Sequence, residues 1–338
     1  MIRGSVRWLA YGVVAFLFST APLMAQQKGQ WMPGQVGLNA GIMPDPGISY
    51  VNIDLNYVSD TLNDRNGNAL PNISGNYNVW VVESILYYVP KFKLFGAKIG
   101  FMLAQPTAAN GSLDLDLGNP PKFSGSGGGY GFTDTYVQPF TLGWHFKRAD
   151  IYGAYAFFAP TGRYNPGATN NVGTGFWGND FITGTTVYLT KNKGTTANLF
   201  TDWEFHGSKQ GANNTRLTPG QTFTTEWGLG QVLPLKKDFS RLLQLGAVGY
   251  DQWQVSNNGG TLADGVTPAS RLPSYTVHSA GLQANFILPP KALNFYFKYY
   301  WEYKAIARPI GHTLGFGLTY TFRIPKPEPP AAPPPPKP

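Results

Sequence analysis

Cysteine is absent from the 338 residues, which excludes a disulfide framework, thiolate chemistry and any cysteine-based metal site. Charge is scarce as well. Asp, Glu, Lys and Arg make up 13% of the chain, well below the roughly 25% of an ordinary soluble domain. A soluble protein of this size would be short of groups to cover its exterior. Long hydrophobic runs are missing too: beyond the N-terminus no stretch reaches the about 18 apolar residues of a membrane-spanning helix. The formal charge of +8, or +6 without Arg3 and Arg7, is spread with no dense basic patch, so nucleic acid is not an expected partner.

Aromatics and glycine are abundant. Phe, Trp and Tyr supply 15% of the chain and there are 41 Gly. The arrangement is clearest in LNFYFKYYWEYK, residues 293–304. Leu293, Phe295, Phe297, Tyr299, Trp301 and Tyr303 form one row, and Asn294, Tyr296, Lys298, Tyr300, Glu302 and Lys304 the other. A strand points successive side chains to opposite faces, so a period of two separates an apolar-aromatic face from a polar one. A helix would scatter Lys298, Glu302 and Lys304 around its cylinder.

The pattern recurs along the chain. Strands are expected from Gly47 onward, at 76–89, 93–105, 133–146, 150–158, 175–189, 195–207, 221–233, 241–255, 275–288, 293–304 and 311–323. Pro139 cannot donate to a ladder and predicts a bulge or kink in its strand. The connections alternate between long and short, as they do in outer-membrane barrels with short periplasmic turns and longer external loops. Nearly every segment reaches or exceeds the about 9–11 residues needed to cross a bilayer. The expected fold is therefore all-β: a transmembrane antiparallel up-and-down β-barrel of about twelve strands over residues 47–324, with periplasmic termini.

The ends differ from the middle. Arg3 and Arg7 precede the apolar core Trp8–Phe18 and the small residues before Gln26, which reads as an export signal over 1–25. Residues 26–46 are rich in Gly, Pro and Gln and read as a leader or as a plug folded into the lumen. Residues 325–338, PKPEPPAAPPPPKP, read as an extended polyproline tail. It is either a plain extension or a contact to a periplasmic or cell-wall component.

In a barrel with lipid outside, the polar rows turn inward. The expected lumen lining is Asn52, Asp54, Glu83, Lys98, His145, Asn198, Asp202, Glu204, Glu226, Gln244, Lys298, Glu302 and Lys304, with Tyr296 and Tyr300 supplying aromatic contact. Glu302 between Lys298 and Lys304 looks like a local charge network. No catalytic, cofactor-binding or metal-ligating set is expected. His145, His206, His278 and His312 lack ligand spacing, and His278 and Ser279 point to opposite faces. GSGGGYG at 125–131 lacks the lysine and helix of a phosphate loop and reads as an external loop.

Several stretches resemble one family. They are GFTDTYVQPFTLGWHF (131–146), YAFFAPTGRY (155–164), NVGTGFW (171–177), TEWGL (225–229), VGYDQWQV (248–255), YYWE (299–302) and the early PGISYVNIDLNY. Together they are similar to the meta-pathway phenol degradation proteins. That resemblance implies an outer-membrane β-barrel admitting small hydrophobic or aromatic compounds passively, with outer-membrane lipid and lipopolysaccharide around it. It brings no catalytic residues. A structural or surface-interaction barrel, or an outer-membrane hydrolase, are the alternative readings.

Overall fold

The computed structural model describes residues 29–70, 73–117 and 124–323. The segments read as an export signal and a polyproline tail lie outside the described residues. Twelve long strands follow one another: β1 Gly47–Leu62, β2 Ile73–Val89, β3 Ala97–Leu117, β4 Thr135–His145, β5 Ala149–Ala159, β6 Gly178–Tyr188, β7 Thr195–His206, β8 Thr222–Pro234, β9 Leu242–Gln254, β10 Thr276–Leu288, β11 Leu293–Ile306 and β12 Pro309–Arg323. Each pairs antiparallel with its chain neighbours, and β1 pairs with β12 as well as β2. The sheet is thus a closed cylinder without edges, which removes the unpaired backbone groups that lipid cannot satisfy. Gly47 lies opposite Arg323, so the two ends of the barrel meet at one rim.

The period of two explains the wall. On β11, Phe295, Phe297, Tyr299, Trp301 and Tyr303 are exposed on the outside, while Lys298, Tyr300 and Glu302 are buried. On β7, Leu199 and Trp203 face out, and Asn198, Phe200, Asp202 and Glu204 face in. The ladder between β4 and β5 shifts register between Val137 and Phe140, which is the irregularity expected of Pro139.

Short connections (90–96, 146–148, 189–194, 235–241, 289–292) close one rim, and the longer ones lie at the other. Two departures stand out. β3 runs through Pro106 to Leu117 and stays paired with β2 down to Ile73, so the expected strand at 93–105 is too short. At the long-loop rim, β11 and β12 are joined by Ala307 and Arg308 alone. Short strands at Lys209–Gln210, Arg216–Thr218 and Gly259–Gly260 pair into a small sheet above that rim.

Three expected lumen residues are corrected. On β1 the parity is the reverse of the expectation: Ile53 and Leu55 are buried in an interior apolar cluster with Ala40, Ile85 and Ala154. Asn52 and Asp54 therefore occupy the outer row, Asp54 opposite Val82 and Phe316. The interior here is filled by apolar groups, so the assumption of a uniformly polar inner face fails. On β11 the ladder to β10 shifts between His278 and Ser279, leaving Tyr303 as the extra residue. A bulge flips the alternation beyond it. Lys304 is consequently exposed and Ala305 is buried in its place.

Candidate functional site

The lumen is crossed by the chain's own N-terminal segment. It starts near the long-loop rim, where the Gly29 N–H donates to the Tyr275 hydroxyl at 3.0 Å. It reaches the short-turn rim at Pro44 and Asp45, which meet the Lys98 ammonium at 3.1 and 3.4 Å. β1 begins two residues later. Such an irregular segment leaves its backbone groups without ladder partners, so the wall must supply them.

It does so at three levels. At the first, the Gln30 side-chain amide donates to Asp134 (3.0 Å), to the Thr174 hydroxyl (2.7 Å) and to the Phe176 carbonyl (3.2 Å). Glu204 accepts the backbone N–H groups of Gln30 and Trp31. At the second, Glu226 accepts backbone N–H groups from Gly34 (2.9 Å), Gln35 (3.2 Å), Val36 (2.8 Å) and Gly37 (3.2 Å), together with the Trp31 indole N–H at 3.3 Å. From the other side, the Lys298 ammonium donates to the carbonyls of Gly34, Gln35 and Val36, the last at 3.0 Å. At the third the partners are neutral. Gln283 accepts from Leu38, Asn198 from Asn39 and Thr186 from Gly41, while Asn39 and Gln244 exchange two side-chain bonds.

Backbone geometry makes the second level work. Gly34 has φ +97° and Gly37 φ +66°, and left-handed positions between ordinary ones turn successive N–H groups into a concave anion nest. A Cβ on Gly34 would stand 3.1 Å from the Tyr300 ring, and one on Gly37 would stand 2.2 Å from Gln283 Oε1. At Gly34 only glycine meets both demands, and at Gly37 a side chain would have to displace the Gln283 amide that accepts from the Leu38 N–H. Glu226 and Lys298 are both fully buried. Each is satisfied by charge-assisted bonds to the backbone, the condition under which a buried ion is tolerated.

A separate network closes the wall toward the long-loop rim. Glu302 accepts from the Tyr57 hydroxyl (2.9 Å), the Tyr250 hydroxyl (3.0 Å), the Arg308 guanidinium (3.2 Å) and the Gly311 N–H (2.7 Å). The expected pairing of Glu302 with Lys298 and Lys304 is thereby corrected: Lys298 holds the N-terminal segment and Lys304 is outside.

Beside the segment lies a cavity of about 580 Å³. Trp31, Val36, Ile53, Tyr136, Ile182 and Phe200 give it a mostly apolar lining, and Glu83, Tyr296 and Lys298 add polar points. Trp31 stacks on Phe200 with ring centroids 5.1 Å apart. The Tyr296 hydroxyl donates to the Asn52 carbonyl at 3.1 Å, and the Lys298 ammonium lies 4.9 Å from the Tyr296 ring. Tyr300 packs under Gly34 and against Tyr250, 5.1 Å between centroids.

Of the lumen candidates, Glu83, Asp202, Glu204, Glu226, Tyr300, Lys298 and Glu302 are buried, as are Asn198 and Gln244. Lys98 touches the segment at the rim. His145 lies on the inward row but at the exposed short-turn rim, paired with Asp150. The histidines are dispersed: His206 beside Glu204, His278 on Asp251, His312 on Tyr299. Sequence reasoning missed Asp134, Gln283, Asp180, Tyr57 and Arg308. Three of the quoted motifs converge on the segment: Asp134 from GFTDTY and Thr174 from NVGTGFW bind Gln30, and Glu226 from TEWGL binds the nest.

A family model described by a MetA pathway of phenol degradation matches residues 59–322. A comparison with curated proteins finds no match. Among solved structures, the COG4313 outer membrane channel from Pseudomonas putida F1 is 14% identical, with a TM-score of 0.65, covering 87% of this chain and 100% of that one. The β domain of the Bordetella autotransporter BrkA is 12% identical at a TM-score of 0.48, covering 82% and 100%. A TodX monoaromatic hydrocarbon channel variant is 10% identical at 0.41, covering 84% and 92%. At these identities the likeness is one of fold.

Proposed function

Since the chain belongs to the family named for the MetA pathway of phenol degradation, we propose that it is an outer-membrane channel for passive uptake of small hydrophobic or aromatic compounds, with residues 29–46 as its plug. The observation that carries this reading is the mostly apolar cavity of about 580 Å³ held between the plug and the wall. A binding pocket of this kind, apolar with a few polar points, suits a small ring compound that carries one polar group. Trp31 and Val36 line the cavity from the plug, and Ile53, Tyr136 and Phe200 line it from the wall. Movement of the plug therefore changes the cavity directly. Transport is driven by the solute gradient.

The aromatic outer row of β11 meets lipid and lipopolysaccharide. In the same reading residues 1–25 direct export, and the tail at 325–338 contacts a periplasmic or cell-wall component. Liposome uptake with the purified protein tests the proposal. Phenol and similar monoaromatic solutes should enter faster than sugars or ions of equal size, and a bulky substitution on the cavity wall such as Ile182→Trp should slow them. A large steady ion current with no preference for aromatic solutes would overturn selective uptake. No uptake on any solute would favour a structural or surface-interaction barrel.

A further inference from the structure

β6 and β7 bring three carboxylates together on the lumen side. Asp180 lies directly opposite Glu204 across the two strands, and Asp202 is two residues from Glu204 on the same face. One oxygen from each lies within 4.8 Å of the others. All three side chains are fully buried, at 0% exposure.

Their surroundings are unequal. Glu204 accepts the N–H groups of Gln30 and Trp31 and the Thr222 hydroxyl at 3.2 Å, and His206 Nε2 stands 2.8 Å away. Asp180 and Asp202 have none of this. Both oxygens of each are buried without a hydrogen-bond partner among the described residues. Like charges directly opposite one another weaken a sheet, and a buried carboxylate without partners is among the most costly groups a fold can carry. No lysine or arginine of the described residues forms an ion pair with either aspartate, and His206 is already placed between Glu204 and the Gly220 carbonyl, to which Nδ1 donates at 2.9 Å.

Two empty-handed carboxylates aimed into one space, with a third beside them, form an oxygen-only donor set. Hard divalent cations of the calcium and magnesium class take such sets, and calcium completes its shell of about 6–8 oxygens with water where protein groups are few. We propose that Asp180, Asp202 and Glu204 bind one hard divalent cation in the barrel wall, beside the plug. Because Glu204 also holds Gln30 and Trp31, the cation fixes the carboxylate that anchors the outer end of the plug. The site does not depend on the identity of the transported solute.

The test uses the intact protein refolded in detergent free of lipopolysaccharide, which binds divalent cations itself. Mn²⁺, whose spin resonance separates free from bound ion, serves as the probe, with Ca²⁺ as competitor. The wild type should bind one equivalent per chain, displaced by Ca²⁺, and Asp180→Asn/Asp202→Asn should lose it while keeping heat-modifiable mobility. Ca²⁺ should also raise the unfolding temperature of the wild type and leave that of the double variant unchanged. Wild-type protein that binds no Mn²⁺ saturably overturns the proposal whatever the variants do. Equal binding by wild type and a folded Asp202→Asn variant overturns it too.

Discussion

Glu226 and Lys298 grip the same four-residue turn of the plug from opposite sides, the carboxylate through its N–H groups and the ammonium through its carbonyls. The two charges are not bonded to each other; a strip of backbone lies between them. Hydrogen bonds to a charged group contribute about 1.5–3 kcal/mol each. Truncating one partner of a buried charged pair costs more than removing both. Glu226→Ala should therefore weaken plug docking by about 3 kcal/mol, seen as more frequent and larger openings in planar bilayers. Glu226→Gln/Lys298→Met should fall short of the sum of the two single changes.

Gly34→Val adds a branched side chain where φ is +97° and Tyr300 stands 3.1 Å from the new Cβ. A forced left-handed residue costs about 1–3 kcal/mol. Openings should increase as they do for Glu226→Ala, while the urea midpoint of the barrel stays near the wild type. A drop in barrel stability with unchanged gating would show that Gly34 serves the wall and not the plug.

Phe297 stands on the outer row of β11, with 51% of its surface exposed. Phe297→Lys places a charge against the hydrocarbon, at a cost of about 2–4 kcal/mol near mid-bilayer. The yield of folded, heat-modifiable protein in vesicles should fall, and the conductance of molecules that do insert should be unchanged.

Glu302 accepts four hydrogen bonds, one of them from the buried Arg308. Glu302→Ala strands that guanidinium, and removing one side of a buried pair costs about 3–5 kcal/mol. Urea unfolding in detergent should show the loss. The paired change Glu302→Gln/Arg308→Met should restore most of it.

Lys209 lies in the small loop sheet above the barrel and is buried near the Phe176 ring, 5.5 Å from its centroid. Burial lowers its ammonium to about 7, with Asp134 opposing that shift. The folded loop thus holds fewer protons than the unfolded one between about pH 7 and the usual lysine value near 10.4, so its stability rises with pH across that window. Protection of residues 207–221 from proteolysis should increase from pH 7 to 10. Lys209→Met should flatten that dependence.

Most of the cylinder is legible in the sequence because period two is a local signal, repeated in every strand and bounded by turns. The bulge at Pro139 is legible for the same reason, since a missing N–H acts where it stands. The reversed parity of β1 is not. Ile53 and Leu55 face inward because Ala40 and the cavity beside the plug await them, and that neighbour is set by tertiary packing alone. Lys304 fails for a local reason that leaves no composition mark: a single extra residue at Tyr303. Among the site residues, the charges of Glu204, Glu226 and Lys298 are visible as inward-facing, but not what they hold. The glycines at 34 and 37 are the one hint, and a glycine-rich leader suggests a loop as readily as an anion nest. The pairing of Asp180 with Glu204 depends on cross-strand register, which one strand cannot reveal.

The plug also imposes an order on assembly. Gly34 is made early, yet its partners Glu226 and Lys298 lie 192 and 264 residues further along the chain. No truncated or growing chain can seat this segment, because the walls that receive it do not yet exist. A segment synthesised before every strand of the barrel is thus among the last to find its bonds, and must be kept in reach of an unfinished cylinder until β12 closes on β1.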